Sequence, residues 1–272
     1  MKPTTISYSD METMLRALNS SSSDDFLYPR LRSMDLSLFE RVLILSPHPD
    51  DDVIACGGTI RKLVQQGTSV KVVYMTDGRG GNMGYDPGRL AVVREAEAKK
   101  ALTILGCSDA VFLRHPDMGL SCDREVIDEI LTLLRDFKPD AIFVPSILEF
   151  PPDHRVTADI TMAALAKYKH EVVCLEYEVW TPLPMTNVLV DITDVVEEKA
   201  RAILEHRSQM EINDYSEKII GLNAYRSMIA ESGVKYCEGF HRLERKDYVK
   251  RPPSSELMRS MVSMFITEAP PH

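Results

Sequence analysis

His48 is followed at once by three consecutive carboxylates, Asp50, Asp51 and Asp52, with Pro49 between the imidazole and the first of them. In a partly buried loop these carboxylates repel one another unless positive charge lies among them, and a divalent cation supplies that charge. The alternative is a solvated loop that caps a helix beginning near Gly57. This segment alone therefore predicts either a metal site or an ordinary helix N-terminus.

A second group of metal-ligating residue types, Asp153 and His154, follows in the later segment 151–155. A histidine such as His154 is, on its own, more commonly a capping or surface residue than a ligand. Together with His48 and one carboxylate it completes a two-histidine, one-carboxylate set, which serves catalytic zinc sites and non-heme iron sites. The two groups together favour a metal-dependent hydrolase.

Short apolar, β-branched runs alternate with amphipathic stretches from Arg41 onward, and this alternation predicts parallel strands with right-handed helical crossovers. The fold class expected is α/β, a Rossmann-like layered fold with a mostly parallel sheet flanked by helices. Both histidine groups follow strands, so they are expected at the carboxyl edge of the sheet, where such folds bind ligands. An iron oxygenase fits less well, since those sites favour β-barrel frames. The strands are predicted at Val42–Leu45, Val70–Met75, Ala110–Leu113, Ala141–Val144 and Val172–Tyr177, and the helices at about 57–66, 89–105, 124–136 and 156–168.

The helix at 89–105 shows the clearest periodicity, with Gly106 as its stop signal. Its charged residues, Arg94 and Glu97 among them, are expected to form a solvated face. Further along, a long helix is predicted at Val195–Met210 and another at about 215–231. The aromatic segment Tyr236–His241 is interpreted as part of a cap on the sheet.

Composition narrows the classes of partner. The net charge of -9 opposes non-specific attraction to nucleic acid, so no nucleic acid partner is expected. No window approaches the ~18 apolar residues of a membrane span. The five cysteines form no CxxC pair, so a reducing compartment is expected and the protein is predicted to be cytoplasmic.

A dinucleotide-binding protein is one alternative, because Gly78, Gly80 and Gly81 lie in a glycine-rich loop. Phosphate-binding glycines should follow the first strand of such a fold. Here the turn after the first strand carries three aspartates, which would repel a pyrophosphate. The sequence therefore disfavours this class.

Over residues 41–245 the sequence resembles the LmbE-like (PIG-L) family of zinc-dependent N-deacetylases. Residues 1–38 show no clear periodicity and are expected to form a polar N-terminal extension, followed by a deacetylase domain at 39–245 and a C-terminal tail at 246–272. The Met-rich tail is expected to pack on the body or on a second subunit, so that a homo-oligomer is one possible assembly. The matching motifs occur in the family's order, namely His48-Pro49-Asp50-Asp51-Asp52, Cys56-Gly57-Gly58-Thr59, Met75-Thr76-Asp77-Gly78, Arg94-Glu95, Leu105-Gly106, Pro116-Asp117-Met118-Gly119-Leu120 and Asp153-His154-Arg155.

The resemblance implies that His48, Asp51 and His154 bind one divalent ion per chain, Zn²⁺ or alternatively Fe²⁺. It further implies that Asp50 is the general base and that Arg94 contacts the sugar of a small N-acetylated amino-sugar substrate. Asp52 is expected behind the metal ligands, and Asp153 is expected to orient a neighbour or to accept loop backbone donors.

One position departs from the family pattern. The family commonly has a histidine where this chain has Pro151, and that histidine helps to stabilise the reacting centre. His115 and His241 are the candidate replacements, whereas His170, His206 and His272 are expected at the surface. The departure keeps a second hypothesis open, a non-catalytic sugar-binding member of the same fold.

Overall fold

The computed structural model describes residue 31 and residues 33–265, and its centre is a seven-stranded sheet. The sheet order is β3-β2-β1-β4-β5-β7-β6. The first five strands in the chain pair in parallel, as predicted, while β7 pairs antiparallel with both β5 and β6. The strands are β1 (Arg41–Ser46), β2 (Ser69–Thr76), β3 (Asp109–His115), β4 (Ala141–Pro145), β5 (Val173–Tyr177), β6 (Val188–Asp191) and β7 (Cys237–Glu244).

Helices cover both faces of this sheet. The α-helices are α1 (Asp51–Gln65), α2 (Pro87–Leu105), α3 (Arg124–Phe137), α4 (Pro152–Lys167), α5 (Val196–Leu204), α6 (Arg207–Met210), α7 (Ser216–Arg226), α8 (Arg245–Tyr248) and α9 (Ser254–Phe265). Helices α1, α2 and α5 pack together on one face, and α3, α4 and α9 lie on the other. This two-sided cover confirms the layered α/β fold. Across residues 31 and 33–265, no helix has the length and apolarity that a membrane crossing requires.

The central strand β1 positions the candidate site. Its residues Val42–Leu45 are fully buried, as expected for a parallel strand with helices on both faces. The chain leaves β1 toward β2 on one side, and β4 lies on the other side, so the strand order reverses at β1. Such a reversal opens a crevice at the carboxyl ends of the two strands, where ligands bind in this class of fold.

Local sequence explains the boundaries of the helix that supplies Arg94. The Asp86 side chain accepts a hydrogen bond from the Arg89 amide, and Pro87 stands in the first turn of α2. Gly106 ends the helix in the left-handed conformation, with φ 79°. The predicted 89–105 helix is thus confirmed to within two residues.

The C-terminal half differs most from prediction. The segment Tyr236–His241 is not a cap but largely part of strand β7, and β6 was not predicted at all. The predicted helix Val195–Met210 is divided, because the chain leaves helical conformation at His206, where φ is -78° and ψ is 55°. Helix α1 begins at Asp51 rather than near Gly57, so two aspartates lie in its first turn.

The structure describes only parts of the predicted N-terminal extension and C-terminal tail. Residues 1–30, 32 and 266–272 of the proposed extension and tail lie outside the described residues. Leu36, within the extension, is buried in the core on the α1 side, and Tyr248, within the tail, is buried beneath α4. The boundaries at 38 and 245 remain predictions.

Candidate metal centre and active site

The loop after β1 and the first turn of α4 meet at the carboxyl edge of the sheet and form the floor of a cleft. His48 follows β1 directly, and His154 lies in the first turn of α4, which follows β4. The cleft has a volume of ≈ 360 Å³. Its lining comprises His48, Asp50, Asp51, Gly80, Gly81, Arg94, Asp117, Met118, Trp180, Gln209, Ile212, Asn213 and Tyr215. Four of the five predicted site residues therefore line one cleft, and the fifth, His154, lies buried directly beneath it.

The three predicted metal ligands form a triangle of donor atoms. Asp51 Oδ2 lies 3.1 Å from His48 Nδ1 and 3.1 Å from His154 Nε2, and the two imidazole nitrogens are 3.2 Å apart. Ligand atoms about 2.0–2.1 Å from a tetrahedral zinc ion lie about 3.3–3.4 Å from one another. The triangle therefore has nearly the dimensions of one face of a zinc coordination tetrahedron, and its donors fit a divalent ion.

The charge balance of the triangle also fits a cation. Burial acts to lower the pKa of His154, but the Asp51 carboxylate outweighs it and raises this pKa to about 9. Burial likewise opposes charge on His48, whose pKa is nonetheless raised by hydrogen bonds with Asp117, Asp153 and Asp51. Burial acts to raise the pKa of Asp51, yet the two imidazoles lower it. The site thus attracts positive charge, and metal binding here would displace protons from the imidazoles.

Two further carboxylates hold the outer edge of the His48 ring. His48 Nε2 lies 3.1 Å from Asp117 Oδ1 and 3.3 Å from Asp153 Oδ2. Both carboxylates are themselves fixed, since Asp117 accepts from the Gly80 amide at 2.8 Å and Asp153 accepts from the Met118 amide at 2.7 Å. Acceptors on Nε2–H leave Nδ1 free to bind a metal, an arrangement common among metal-binding histidines. Asp153 thus meets both expectations stated for it.

Glu149 holds the corresponding edge of His154. Its carboxylate is fully buried, and Oε2 lies 3.3 Å from His154 Nδ1. The same carboxylate accepts hydrogen bonds from three successive amides, those of Val179 at 2.7 Å, Trp180 at 3.1 Å and Thr181 at 3.2 Å. Glu149 therefore connects a candidate metal ligand to the loop that bears Trp180.

The Asp50 carboxylate lies in the same cleft and accepts hydrogen bonds from two side chains. Arg94 Nη2 donates to Asp50 Oδ1 at 2.7 Å, and the Tyr215 hydroxyl donates to Asp50 Oδ2 at 2.9 Å. Arg94 Nη1 donates to the Gly78 carbonyl oxygen at 3.0 Å. A Cβ on Gly78, whose φ is 64°, would lie 2.7 Å from Arg94 Nη1, so only glycine leaves room for the guanidinium here.

The expected solvated charged face of α2 is found at Lys99 and Lys100, which are exposed, but not at Arg94 and Glu97. Arg94 is 3 % exposed and Glu97 is 7 % exposed. Glu97 accepts hydrogen bonds from the amide and the hydroxyl of Ser208, at 2.9 and 2.7 Å. The helix thus directs one arginine into the cleft, and a contact between Arg94 and a sugar remains a prediction.

Asp52 lies behind the site, on the side away from the histidines. It is fully buried and accepts a hydrogen bond from the Tyr74 hydroxyl at 2.9 Å. Burial raises the pKa of Asp52 to about 7. Of the three consecutive aspartates, only Asp51 therefore faces both imidazoles.

The histidines proposed to replace the family residue at Pro151 do not line the cleft. His115 Nε2 lies 2.8 Å from Glu129 Oε2, and His241 lines a separate cavity beside Glu176. The expectation that His206 is a surface residue is wrong. His206 is fully buried at the start of α6, and burial lowers its pKa to about 4.

Four residues at or behind the cleft carried no assigned role in the sequence: Asp117, Glu149, Trp180 and Tyr215. Asp117 follows β3 at the same edge of the sheet, so strand order alone was a usable signal for it. Glu149 lies just after β4 and was open to the same inference. Tyr215 is 165 positions from the aspartate that it contacts, and no local pattern marks such a contact.

Comparison with known proteins is consistent with this geometry. The family described as "PIG-L: GlcNAc-PI de-N-acetylase" matches residues 43–165. The diacetylchitobiose deacetylase of Thermococcus kodakarensis is 34% identical over 193 residues, which cover 62% of this chain and 70% of the relative. A probable N-acetyl-alpha-D-glucosaminyl L-malate deacetylase 2 of Bacillus cereus is 30% identical over 188 residues, covering 62% of this chain and 84% of the relative.

Among solved structures, the N,N'-diacetylchitobiose deacetylase from Pyrococcus horikoshii, in complex with its inhibitor MPG, superposes with a TM-score of 0.72. It shares 27% sequence identity, and the match covers 89% of this chain and 95% of that one. The structural similarity therefore extends well beyond residues 43–165, which the family model matches.

Proposed function

Since this chain belongs to the family described as PIG-L, GlcNAc-PI de-N-acetylase, we propose that it is a metal-dependent N-deacetylase acting on an N-acetylglucosamine-type amide. The observation that carries the proposal is the donor triangle of His48, Asp51 and His154 with Asp50 beside it in one cleft. The relatives named as deacetylases of N-acetylated sugars support the acyl-amine substrate class.

We propose that His48, Asp51 and His154 hold one divalent ion, zinc in the first place and ferrous iron as the alternative. Two imidazoles and one carboxylate are the ligands of several catalytic zinc sites that keep a position open for water. When bound, such an ion supplies Lewis-acid activation of water and of the acyl carbonyl group. Asp117 and Glu149 support the triangle by holding the far nitrogens of the two imidazoles.

Asp50 is the proposed general base. It takes a proton from the attacking water as the new carbon–oxygen bond forms, and it delivers a proton to the sugar nitrogen as the carbon–nitrogen bond breaks. Water is consumed, and the products are acetate and a free amine. Arg94 and Tyr215 hold one oxygen of the carboxylate each, so the proposed role of both is to fix its direction.

The second hypothesis, a sugar-binding protein without catalysis, rests on the loss of the family histidine at Pro151. The geometry favours the enzyme, because a protein that only binds sugar has no need of a carboxylate held beside a metal triangle. The two hypotheses separate in an assay, since the binding protein would retain N-acetylglucosaminides without releasing acetate.

The test combines ion content with acetate release. Protein stripped with a chelator and reconstituted with zinc is expected to hold one ion per chain and to release acetate from a panel of N-acetylglucosaminides. His154→Ala is expected to lose both the ion and the activity, because it removes one vertex of the triangle. His170→Ala makes the same change at an exposed position and is the matched control. Equal zinc content in His154→Ala and His170→Ala would show that the ligand assignment is wrong.

A further inference from the structure

One wall of the cleft is apolar and remains open to water. Trp180 is 45 % exposed there, and Met118 and Ile212, which line the same cleft, are 70 % and 59 % exposed. Exposed apolar side chains grouped at the mouth of a concave site mark a surface that a ligand covers. The metal triangle and Asp50 form the floor of the same cleft, so a ligand on this wall would extend away from the reacting amide.

Trp180 is held firmly in this position. Three amides around it are bonded to the buried Glu149 carboxylate, as described above. Its indole ring meets the Tyr215 ring edge to face, with centroids 5.7 Å apart and planes at 87°. Because the Tyr215 hydroxyl is bonded to Asp50, the distance from the indole to the candidate base is set by packed and bonded groups.

The charges of the lining disfavour one class of ligand, namely ligands that carry a phosphate or carboxylate away from the reacting amide. Among the described residues that line the cleft, Arg94 is the only arginine or lysine. Its guanidinium already donates to Asp50 and to the Gly78 carbonyl, and it is 3 % exposed. On the wall away from the proposed metal ion, a phosphate or carboxylate of the ligand would thus meet Asp117 and Asp50 without a free lysine or arginine of the lining to bind it.

We infer that the substrate is an uncharged N-acetylglucosaminide with at least two rings, of which the second packs on Trp180. The C–H groups on one side of a pyranose form an apolar surface that suits an indole, while its hydroxyls reach polar groups such as Asn213. The inference rests on the proposed deacetylase function and adds a specificity-determining residue to it.

The kinetic test compares the deacetylation of N,N'-diacetylchitobiose with that of N-acetylglucosamine by zinc-loaded protein. Trp180→Ala is expected to lower the ratio of kcat/KM for the disaccharide to that for the monosaccharide by about tenfold. Trp180→Phe, which keeps an aromatic ring, is expected to recover most of that ratio. Tyr225→Ala removes an exposed aromatic residue from α7, outside the cleft lining, and is expected to keep the wild-type ratio.

The binding test uses the fact that Trp180 is the only tryptophan of the chain. In zinc-loaded Asp50→Asn protein, which leaves the sugar intact, N,N'-diacetylchitobiose is expected to shift the tryptophan emission to shorter wavelength as water leaves the indole. N-acetylglucosamine 6-phosphate at the same concentration is expected to leave the emission unchanged.

The inference is overturned if Trp180→Ala keeps the wild-type ratio, or if the phosphorylated sugar is deacetylated as efficiently as the disaccharide. In either case wild-type protein still releases acetate, and the proposed function stands. If wild-type protein releases acetate from none of these sugars, the proposed function fails and this inference fails with it.

Discussion

Glu149→Gln replaces one oxygen of a fully buried carboxylate by an NH2 group, and this change is expected to affect both folding and metal binding. Glu149 Oε1 accepts from the Val179 and Thr181 amides, and Oε2 accepts from the Trp180 amide and approaches His154 Nδ1. A glutamine replaces one of these oxygens by a donor. Since all three backbone partners are also donors, either orientation leaves at least one amide unpaired.

The size of the effect follows from these contacts. The less costly orientation turns the new NH2 group toward the Trp180 amide and leaves that amide buried without an acceptor, which costs about 1–3 kcal/mol. The remaining two hydrogen bonds lose the assistance of a full negative charge, so the expected loss in the free energy of unfolding is about 3 kcal/mol in total. Loss of the carboxylate beside His154 is expected to weaken zinc binding by about 10–100-fold.

Urea unfolding of chelator-treated protein measures the first quantity, and competition with a chromophoric chelator measures the second. Glu129→Gln is the matched control, because Glu129 also approaches a histidine, His115, but lies outside the cleft with its side chain 41% exposed. The control is expected to change the free energy of unfolding by less than about 0.5 kcal/mol. If Glu149→Gln behaves like Glu129→Gln in both measurements, the proposed link between His154 and the Trp180 loop is wrong.

Three other predictions concern the aspartates of the cleft, Arg94 and the buried His206. Asp50→Asn is expected to keep zinc and to lower kcat by a factor of about 10²–10⁴, whereas Asp51→Ala is expected to lose zinc as well as activity. Elemental analysis measures the zinc content, and acetate release measures kcat. Near-wild-type turnover in Asp50→Asn would refute the assignment of the base. Arg94→Ala is expected to lower kcat by about 10–100-fold with little change in KM, since the Arg94 guanidinium is bonded to Asp50. A rise in KM alone would instead support a direct contact between Arg94 and the sugar. The pKa of His206 is about 4 in the folded protein and about 6.5 in the unfolded chain, so the unfolded chain binds the proton more tightly. Lowering the pH from about 6.5 to about 4 therefore destabilises the fold. Wild-type protein is therefore expected to lose about 2 kcal/mol more than His206→Gln between pH 7 and pH 5 in urea unfolding, and equal losses would contradict the burial of an uncharged imidazole.

The sequence predicted the parallel half of the molecule well because its signals are local. Strands such as Val42–Leu45 are continuous apolar runs, and α2 has a capping aspartate, an early proline and a terminal glycine. Once strand order is known, His48 and the start of α4 must meet at one edge. The proximity of the two histidine groups was therefore predictable from the chain itself.

The antiparallel half was less predictable. Strand β7 includes Glu238, whose buried carboxylate is paired with Lys199 and accepts the Gly58 and Thr59 amides, so the strand lacks a simple apolar run. The contact of Tyr215 with Asp50 joins residues that share no strand, helix or turn. A pattern of residue types cannot predict such a contact, because it depends on how distant elements pack.

The position of Tyr215 along the chain also sets an order of events during synthesis. All donors of the metal triangle lie within residues 48–154, whereas the tyrosine that holds Asp50 is made about 60 residues later. At 5–20 residues per second, the ribosome takes roughly 3–12 s to cover that interval. During that time the nascent chain already contains the three proposed metal ligands but lacks the donor for Asp50 Oδ2. The proposed metal site is therefore complete in sequence before the cleft above it has been synthesised.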